Sequence, residues 1–145
     1  MWLTEQLIRH EGLRLKLYKC PAGKNSIGVG RNLEAKGIAR SEAMYMLMHD
    51  IADAQVDLKK VLSLYHIPEW KISPPRKDAL TNVVFNIGRA SLLGFRKMFG
   101  AIHDEDWGKA ADELLDSKYA TDVGARADEL AEQIRTGSYQ KGVPK

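Results

Sequence analysis

Cysteine is nearly absent from this chain: Cys20 stands alone in 145 residues, so no internal disulfide can brace the fold. A single thiol fits a protein made in a reducing cytoplasm. The four histidines, His10, His49, His66 and His103, are scattered without metal-ligand spacing. No glycine-rich phosphate loop is present either, so neither a metal nor another cofactor is expected. No apolar run is long enough to span a bilayer, and Met1-Trp-Leu-Thr-Glu5 lacks the basic start of a signal peptide. Internal repeats and low-complexity stretches are also missing.

What is present is ordinary globular material. With 44% hydrophobic residues, the chain has enough apolar content for a core and suits one domain over residues 1–145. The formal charge of +3 and pI near 9.0 are mildly basic. Lysines and arginines are interleaved with acids along the chain, which reads as a solvated surface, and no nucleic-acid partner is expected.

The informative segment is Glu11-Gly-Leu-Arg-Leu-Lys-Leu-Tyr-Lys-Cys20-Pro-Ala-Gly-Lys-Asn-Ser26-Ile-Gly-Val-Gly30. Leu3, Leu7 and Ile8 recur at helical spacing, and Glu11 continues that face just before Gly12, a helix stop. Glu11 is therefore expected at a helix C-terminus on the apolar side. There the last carbonyls and desolvation against Leu7 and Ile8 both raise a carboxyl pKa, as a general acid needs. Leu13, Leu15 and Leu17 then alternate with Arg14, Lys16 and Tyr18, the pattern of a half-buried strand. Pro21, Gly23 and Asn25 supply a turn, and Ser26 to Gly30 forms a return strand whose glycines admit close approach by a ligand. Cys20, flanked by Lys19 and Lys24, is expected to be partly exposed in positive surroundings that favour thiolate. An acid, a nucleophile and a hydroxyl grouped in this way are glycosidase equipment.

This block resembles the T-even phage lysozymes, whose signature is a glutamate, an aspartate or cysteine nine residues on, and a threonine six further. Glu11, Cys20 and Ser26 occupy those places. The likeness continues in Asn82-Val-Val-Phe85-Asn86-Ile-Gly88, Gly94-Phe95, Trp107, Ala110-Ala111, Arg126 and Arg135-Thr-Gly137. Cysteine replaces the commoner aspartate, exchanging an ionised carboxylate for a thiol of reference pKa about 8.5. Serine in place of threonine keeps the hydroxyl. Arg31 stands where many relatives carry histidine, and an Arg31 to Asp50 ion pair is expected to join the hairpin to the following helix.

The resemblance implies an α+β, lysozyme-like fold, with a β-hairpin lobe (1–40), a connecting helix (41–62), a helical lobe (63–145) and a cleft between the lobes. The residues themselves support the helices. Met44, Leu47, Met48, Ile51, Ala54, Leu58, Val61 and Leu62 repeat at helical spacing from about Arg40, with the methionines read as core filling. Tyr65 to Pro75 is a connection. Ser73 before Pro74 and Pro75 starts a largely buried helix that ends at Gly88. Asp104 opens another, and Gly124 to Ile134 makes the last.

By the same resemblance the activity is hydrolysis of the β-1,4 bond between N-acetylmuramic acid and N-acetylglucosamine in peptidoglycan, for which a basic protein suits an anionic wall. Glu11 is the acid, with Cys20 and Ser26 serving the attacking water. Cys20 is left as base, nucleophile or water holder. Gly30, Phe85 and Asn86 are the expected sugar-contacting positions, and Arg126 the residue that orients the acid. A monomer is expected, made in the host cytoplasm and reaching the wall through a holin. Two other readings stay open: a lytic transglycosylase that uses Glu11 alone, and a wall-binding protein that no longer cuts.

Overall fold

The computed structural model describes residues 1–141; two compact units are present, residues 1–47 and a second that begins at Met48. The architecture is α+β, an N-terminal three-stranded antiparallel sheet followed by a long helix and a helical lobe.

The first unit begins with α1 (Trp2–Glu11). Gly12 ends it as the sequence predicts, with φ 80° and its N–H donated to the Ile8 carbonyl at 2.8 Å. Strands β1 (Arg14–Lys19), β2 (Asn25–Gly28) and β3 (Arg31–Asn32) follow in the order β1-β2-β3. The return segment is thus not one strand to Gly30. It bends back after Gly28, where Gly28 and Gly30 both take positive φ and let β3 pair with β2. Asn32 then caps the short α2 (Leu33–Lys36), accepting the Ala35 N–H at 3.1 Å.

The expected burial of the N-terminal apolar faces is not found. No residue of α1 is buried, and Leu13, Leu15 and Leu17 are 57%, 82% and 60% exposed. Alternation was a sound sign of a strand, but it gives only the two faces, not which one is covered. Here the partly covered residue of β1 is Tyr18, on the face that carries the chemistry described below.

Helix α3 (Arg40–Leu64) gives its first turns to the first unit and the remainder to the second. Only Ala54, Leu58, Val61 and Leu62 are buried along it. Met44, Met46 and Met48 are exposed, which corrects their reading as core filling. Helical periodicity marked the right helix, but the apolar stripe is used only along its C-terminal half.

In the second unit, Pro74 and Pro75 open α4 (Pro74–Ile87) after Ser73, since proline has no N–H to lose in a first turn. Gly88, with φ 83°, closes it. Ala79, Leu80, Val83 and Val84 are buried, whereas Asn82, Phe85 and Asn86 face outward. Helices α5 (Arg89–Leu93), α6 (Arg96–His103), α7 (Trp107–Leu115), α8 (Lys118–Val123) and α9 (Ala125–Thr136) complete the unit. Helix α7 starts at Trp107, not Asp104, because Asp106 is the side chain that accepts the Lys109 N–H. Phe99 on α6 is fully buried and stacks on Tyr65 with ring centroids 4.7 Å apart.

Arg76 locks the end of α9. It donates to the carbonyls of Ile134 and Arg135 at 2.7 and 3.1 Å and lies over the Trp107 ring at 4.2 Å. Every buried apolar side chain among the described residues falls between Ala54 and Ile134. The hydrophobic stabilisation therefore resides in the helical unit, and the sheet unit is held chiefly by its backbone ladder, turns and polar contacts.

Candidate active site

Within the first unit, Glu11, Cys20, Ser26 and Gly30 line one depression of about 520 Å³, together with His10, Arg14, Tyr18 and Asn32. The local chain path explains the gathering. Ser26 on β2 pairs across to Tyr18 on β1 and to Asn32 on β3, so these three side chains share one face of the sheet. Arg14 lies over the Tyr18 ring at 4.6 Å. Glu11 reaches the same place from the end of α1.

Cys20 sits at the turn that joins β1 to β2. Its N–H donates to the Lys24 carbonyl at 2.9 Å, and its carbonyl accepts the Gly23 N–H at 2.8 Å. Pro21 and Gly23, the latter at φ 79°, are the residues that a tight turn followed by a left-handed glycine demands. The thiol is half-buried. Its pKa is lowered, first by the backbone N–H of Lys24 and then by that of Ala22 and the Ser26 hydroxyl, with burial opposing. Thiolate is favoured as the sequence predicts. The cause is oriented dipoles of the turn, not the charges of the neighbouring lysines.

Ser26 is 2% exposed, the one buried polar side chain of the first unit among the described residues. Its hydroxyl donates to the Lys24 carbonyl at 3.2 Å. The same hydroxyl is one of the groups that lower the Cys20 pKa, and it has a single proton to place. A thiolate at Cys20 competes with the Lys24 carbonyl for that proton.

Gly30 is closer to the acid than sequence alone indicated. At φ +65° its α-carbon is turned so that a Cβ would meet the Glu11 side chain, with Oε2 2.9 Å away. A glycine that keeps room for a carboxylate is a signal that spacing hides.

Arg31 does not pair with Asp50. Its guanidinium meets the Glu42 carboxylate at 2.6 Å and also donates to the Gly37 carbonyl at 3.4 Å. Glu42 is held there because its Oε1 accepts the Ala39 N–H at 2.9 Å at the start of α3. The expected link between hairpin and helix exists, but a capping acid supplies it from the first turn of the helix. Arg31 and that capping bond both lower the Glu42 pKa.

The remaining expected site residues lie in the second unit. Arg126 on α9 grips Asn82 on α4, donating through Nε at 3.0 Å and Nη2 at 2.6 Å to Oδ1, and to the Asn82 carbonyl at 3.3 Å. Phe85 and Asn86 follow Asn82 on α4 and are exposed, Phe85 by 45%. Among the described residues no cluster of three His, Cys, Asp or Glu side chains is placed to hold a metal, and no helix is long and apolar enough to cross a membrane.

Residues 8–135 match the Phage lysozyme family. The chain is similar to the pre-baseplate central spike protein Gp5 of Enterobacteria phage T4, at 29% identity over 97% of this chain and 28% of that one. It is also similar to probable T4-type lysozyme 2 of Dictyostelium discoideum, at 24% identity over 96% of each. An endolysin of Acyrthosiphon pisum secondary endosymbiont phage 1 is 35% identical over 55% of this chain and 53% of its own length. The chain thus spans under a third of the spike protein and about half of that endolysin. The family match runs from Ile8 in α1 to Arg135 in α9, taking in the sheet and the helical unit alike, and the chain belongs to the phage lysozymes, glycoside hydrolases of the muramidase type.

Proposed function

We propose that this chain is an endolysin that hydrolyses the β-1,4 bond between N-acetylmuramic acid and N-acetylglucosamine in peptidoglycan, bringing about host-cell lysis. The observation that carries this reading is the meeting of Glu11, Cys20 and Ser26 around one depression in a chain of this family. Glu11 protonates the leaving glycosidic oxygen. A water held beside Cys20 attacks the anomeric carbon from the opposite face and gives its proton to the thiolate, the inverting course. Ser26 is buried behind the turn and serves by holding Cys20 and its surroundings in place.

Gly30 leaves room for the acid, Phe85 and Asn86 offer exposed apolar and amide surface for sugar, and Arg126 orients the acid. The protein works as a monomer on the periplasmic wall, which it reaches through a holin after synthesis in the host cytoplasm. Similarity to a phage endolysin over 55% of this chain supports this role.

The test is digestion of purified peptidoglycan with mass analysis of the fragments. Hydrolysis adds one water per cut, giving a reducing muramic acid end. An anhydro-muramic end would instead assign the reaction to Glu11 alone, and intact glycan after wall binding would remove catalysis altogether.

A further inference from the structure

The depression that holds Glu11 and Cys20 is also lined by Arg14, Lys19 and His10, and among the described residues Glu11 is its one carboxylate. Hydrolysis by Glu11 and Cys20 leaves these basic groups without a part. Among the described residues none of the three forms an ion pair, whereas Arg31, Arg89 and Arg135 each meet an acid.

Arg14 is held in place all the same. Its guanidinium lies over the Tyr18 ring, 4.6 Å from the centre. The two residues are four apart on β1 and the register with β2 breaks between them, so the strand bends where their side chains meet. A guanidinium anchored over an aromatic face still has N–H groups to give, in a fork that matches a carboxylate. Its charge is not spent on the thiol, because the groups that lower the Cys20 pKa are backbone N–H donors and the Ser26 hydroxyl.

The rings of the glycan carry hydroxyl and acetamido groups and no charge. Carboxylate enters through muramic acid, whose lactyl ether ends in a carboxyl that is either free or amide-linked to a peptide stem with carboxylates of its own. An arginine without an acid partner and a lysine beside it, next to the catalytic acid, suit that group and no other on the glycan strand.

We propose that Arg14, with Lys19, is a carboxylate-binding subsite of the catalytic depression that recognises muramic acid and discriminates against glycans of N-acetylglucosamine alone. The proposal rests on the muramidase reading for its substrate and takes its geometry from the first unit alone.

The test separates binding from cutting. The full chain carrying Glu11→Gln is titrated calorimetrically, at one ionic strength, with soluble tetrasaccharides that alternate N-acetylglucosamine and N-acetylmuramic acid. One ligand bears peptide stems, a second has free lactyl carboxyls, and a third has every carboxyl capped as an amide. Adding Arg14→Gln is expected to weaken binding of a carboxylate-bearing ligand about tenfold or more and to leave the capped one unchanged. Arg14→Lys, which keeps the charge and loses the fork, is expected to recover part of the loss. Lys36→Gln removes the same charge outside the depression, with an expected loss under about threefold. A loss confined to the stem-bearing ligand assigns the carboxylate to the stem, and a loss on both assigns it to the lactyl group. In the chain with Glu11 intact, Arg14→Gln is expected to raise KM about tenfold on cleavable glycan and to change kcat by less than about threefold. Carboxylate-bearing ligands that bind no better than the capped one overturn the proposal. So do equal losses from Arg14→Gln and Lys36→Gln, or a fall in kcat at unchanged KM. If the chain with Glu11 intact cuts no glycan, the muramidase reading fails, and the titrations still decide the subsite.

Discussion

Gly30 lies so close against Glu11 that a Cβ on it would stand 2.9 Å from Oε2, 3.1 Å from Cδ and 3.2 Å from Cβ of the glutamate. The contact is to the body of the side chain as well as its tip, so the carboxylate cannot yield by rotating its end alone. Gly30→Ala is expected to cost about 1–2 kcal/mol from the left-handed backbone and to lower the lysis rate at least tenfold by moving the acid. Gly28→Ala is the control, since Gly28 has φ +72° but nothing within 4 Å of its would-be Cβ. Urea unfolding should weaken similarly for both, while turbidity clearance should fall only for Gly30→Ala. Equal activity in the two variants would show that the contact does not set the position of the acid.

Glu11→Gln keeps the shape of the side chain and removes its proton. The rate of wall hydrolysis is expected to fall by about 10² or more, the usual contribution of a general acid. Because α1 ends at Glu11, loss of a carboxylate there should leave stability unchanged or raise it by about 0.3–1 kcal/mol. A variant with normal unfolding and more than about a tenth of the parent rate would remove Glu11 from the mechanism.

Arg126 gives a way to separate a structural role from a catalytic one. Its three hydrogen bonds to Asn82 tie α9 to α4, all at exposed groups, so Arg126→Ala and Asn82→Ala should each cost only about 1 kcal/mol. If Arg126 also orients the acid, its removal should lower kcat far more than removal of Asn82 does, at matched stability. Equal kinetic effects in the pair would limit Arg126 to bracing the two helices.

The Arg31 to Glu42 bond makes a prediction about acid. Glu42 is held below its ordinary pKa first by Arg31 and then by the Ala39 N–H, so its contribution to stability is present above the usual carboxylate range. That contribution is lost as pH falls through the lowered value. Stability measured by urea unfolding from neutral to acidic pH should decline less steeply in Glu42→Gln than in the parent. Parallel curves would mean the pair exchanges freely with solvent.

Much of this was legible in the sequence where the signal is local. Gly12, Gly88 and the prolines before α4 mark element ends because they fix or free a single backbone angle, and Ser26 and Cys20 were placed by turn chemistry alone. What failed depended on distant partners. Leu15 and Met48 have impeccable periodicity, but their exposure depends on whether another element covers them. Arg31 was assigned the wrong acid because Glu42 is drawn to it by a capping bond to Ala39 that charge pattern does not display. Helix α6 went unread because it is short and contains Gly100, although Phe95, Phe99 and Ile102 carried its spacing. The contact of Gly30 with Glu11 joins residues nineteen apart, and no propensity encodes it.

Cys20 supplies the sharpest test, because its lowered pKa and its proposed role make linked demands. The thiolate is favoured by the Lys24 and Ala22 N–H groups and, less strongly, by the Ser26 hydroxyl, so it persists below the ordinary thiol value. Alkylation by iodoacetamide should therefore reach half its limiting rate at a pH below that value. Ser26→Ala should shift the midpoint upward, by less than the backbone contributes. If the thiolate is the base that takes the proton of water, the acidic limb of the lysis profile must follow the same titration. Cys20→Ala should then lose most of the activity, and Cys20→Asp should keep much of it. The aspartate variant should also move the acidic limb to lower pH, since the new carboxyl has a reference value near 3.9. Both profiles must be taken at one ionic strength, because binding of a basic protein to the wall depends on salt. Superimposable acidic limbs in the parent and Cys20→Asp would mean that Cys20 does not titrate in the reaction, and its part would shrink to holding water or packing the turn.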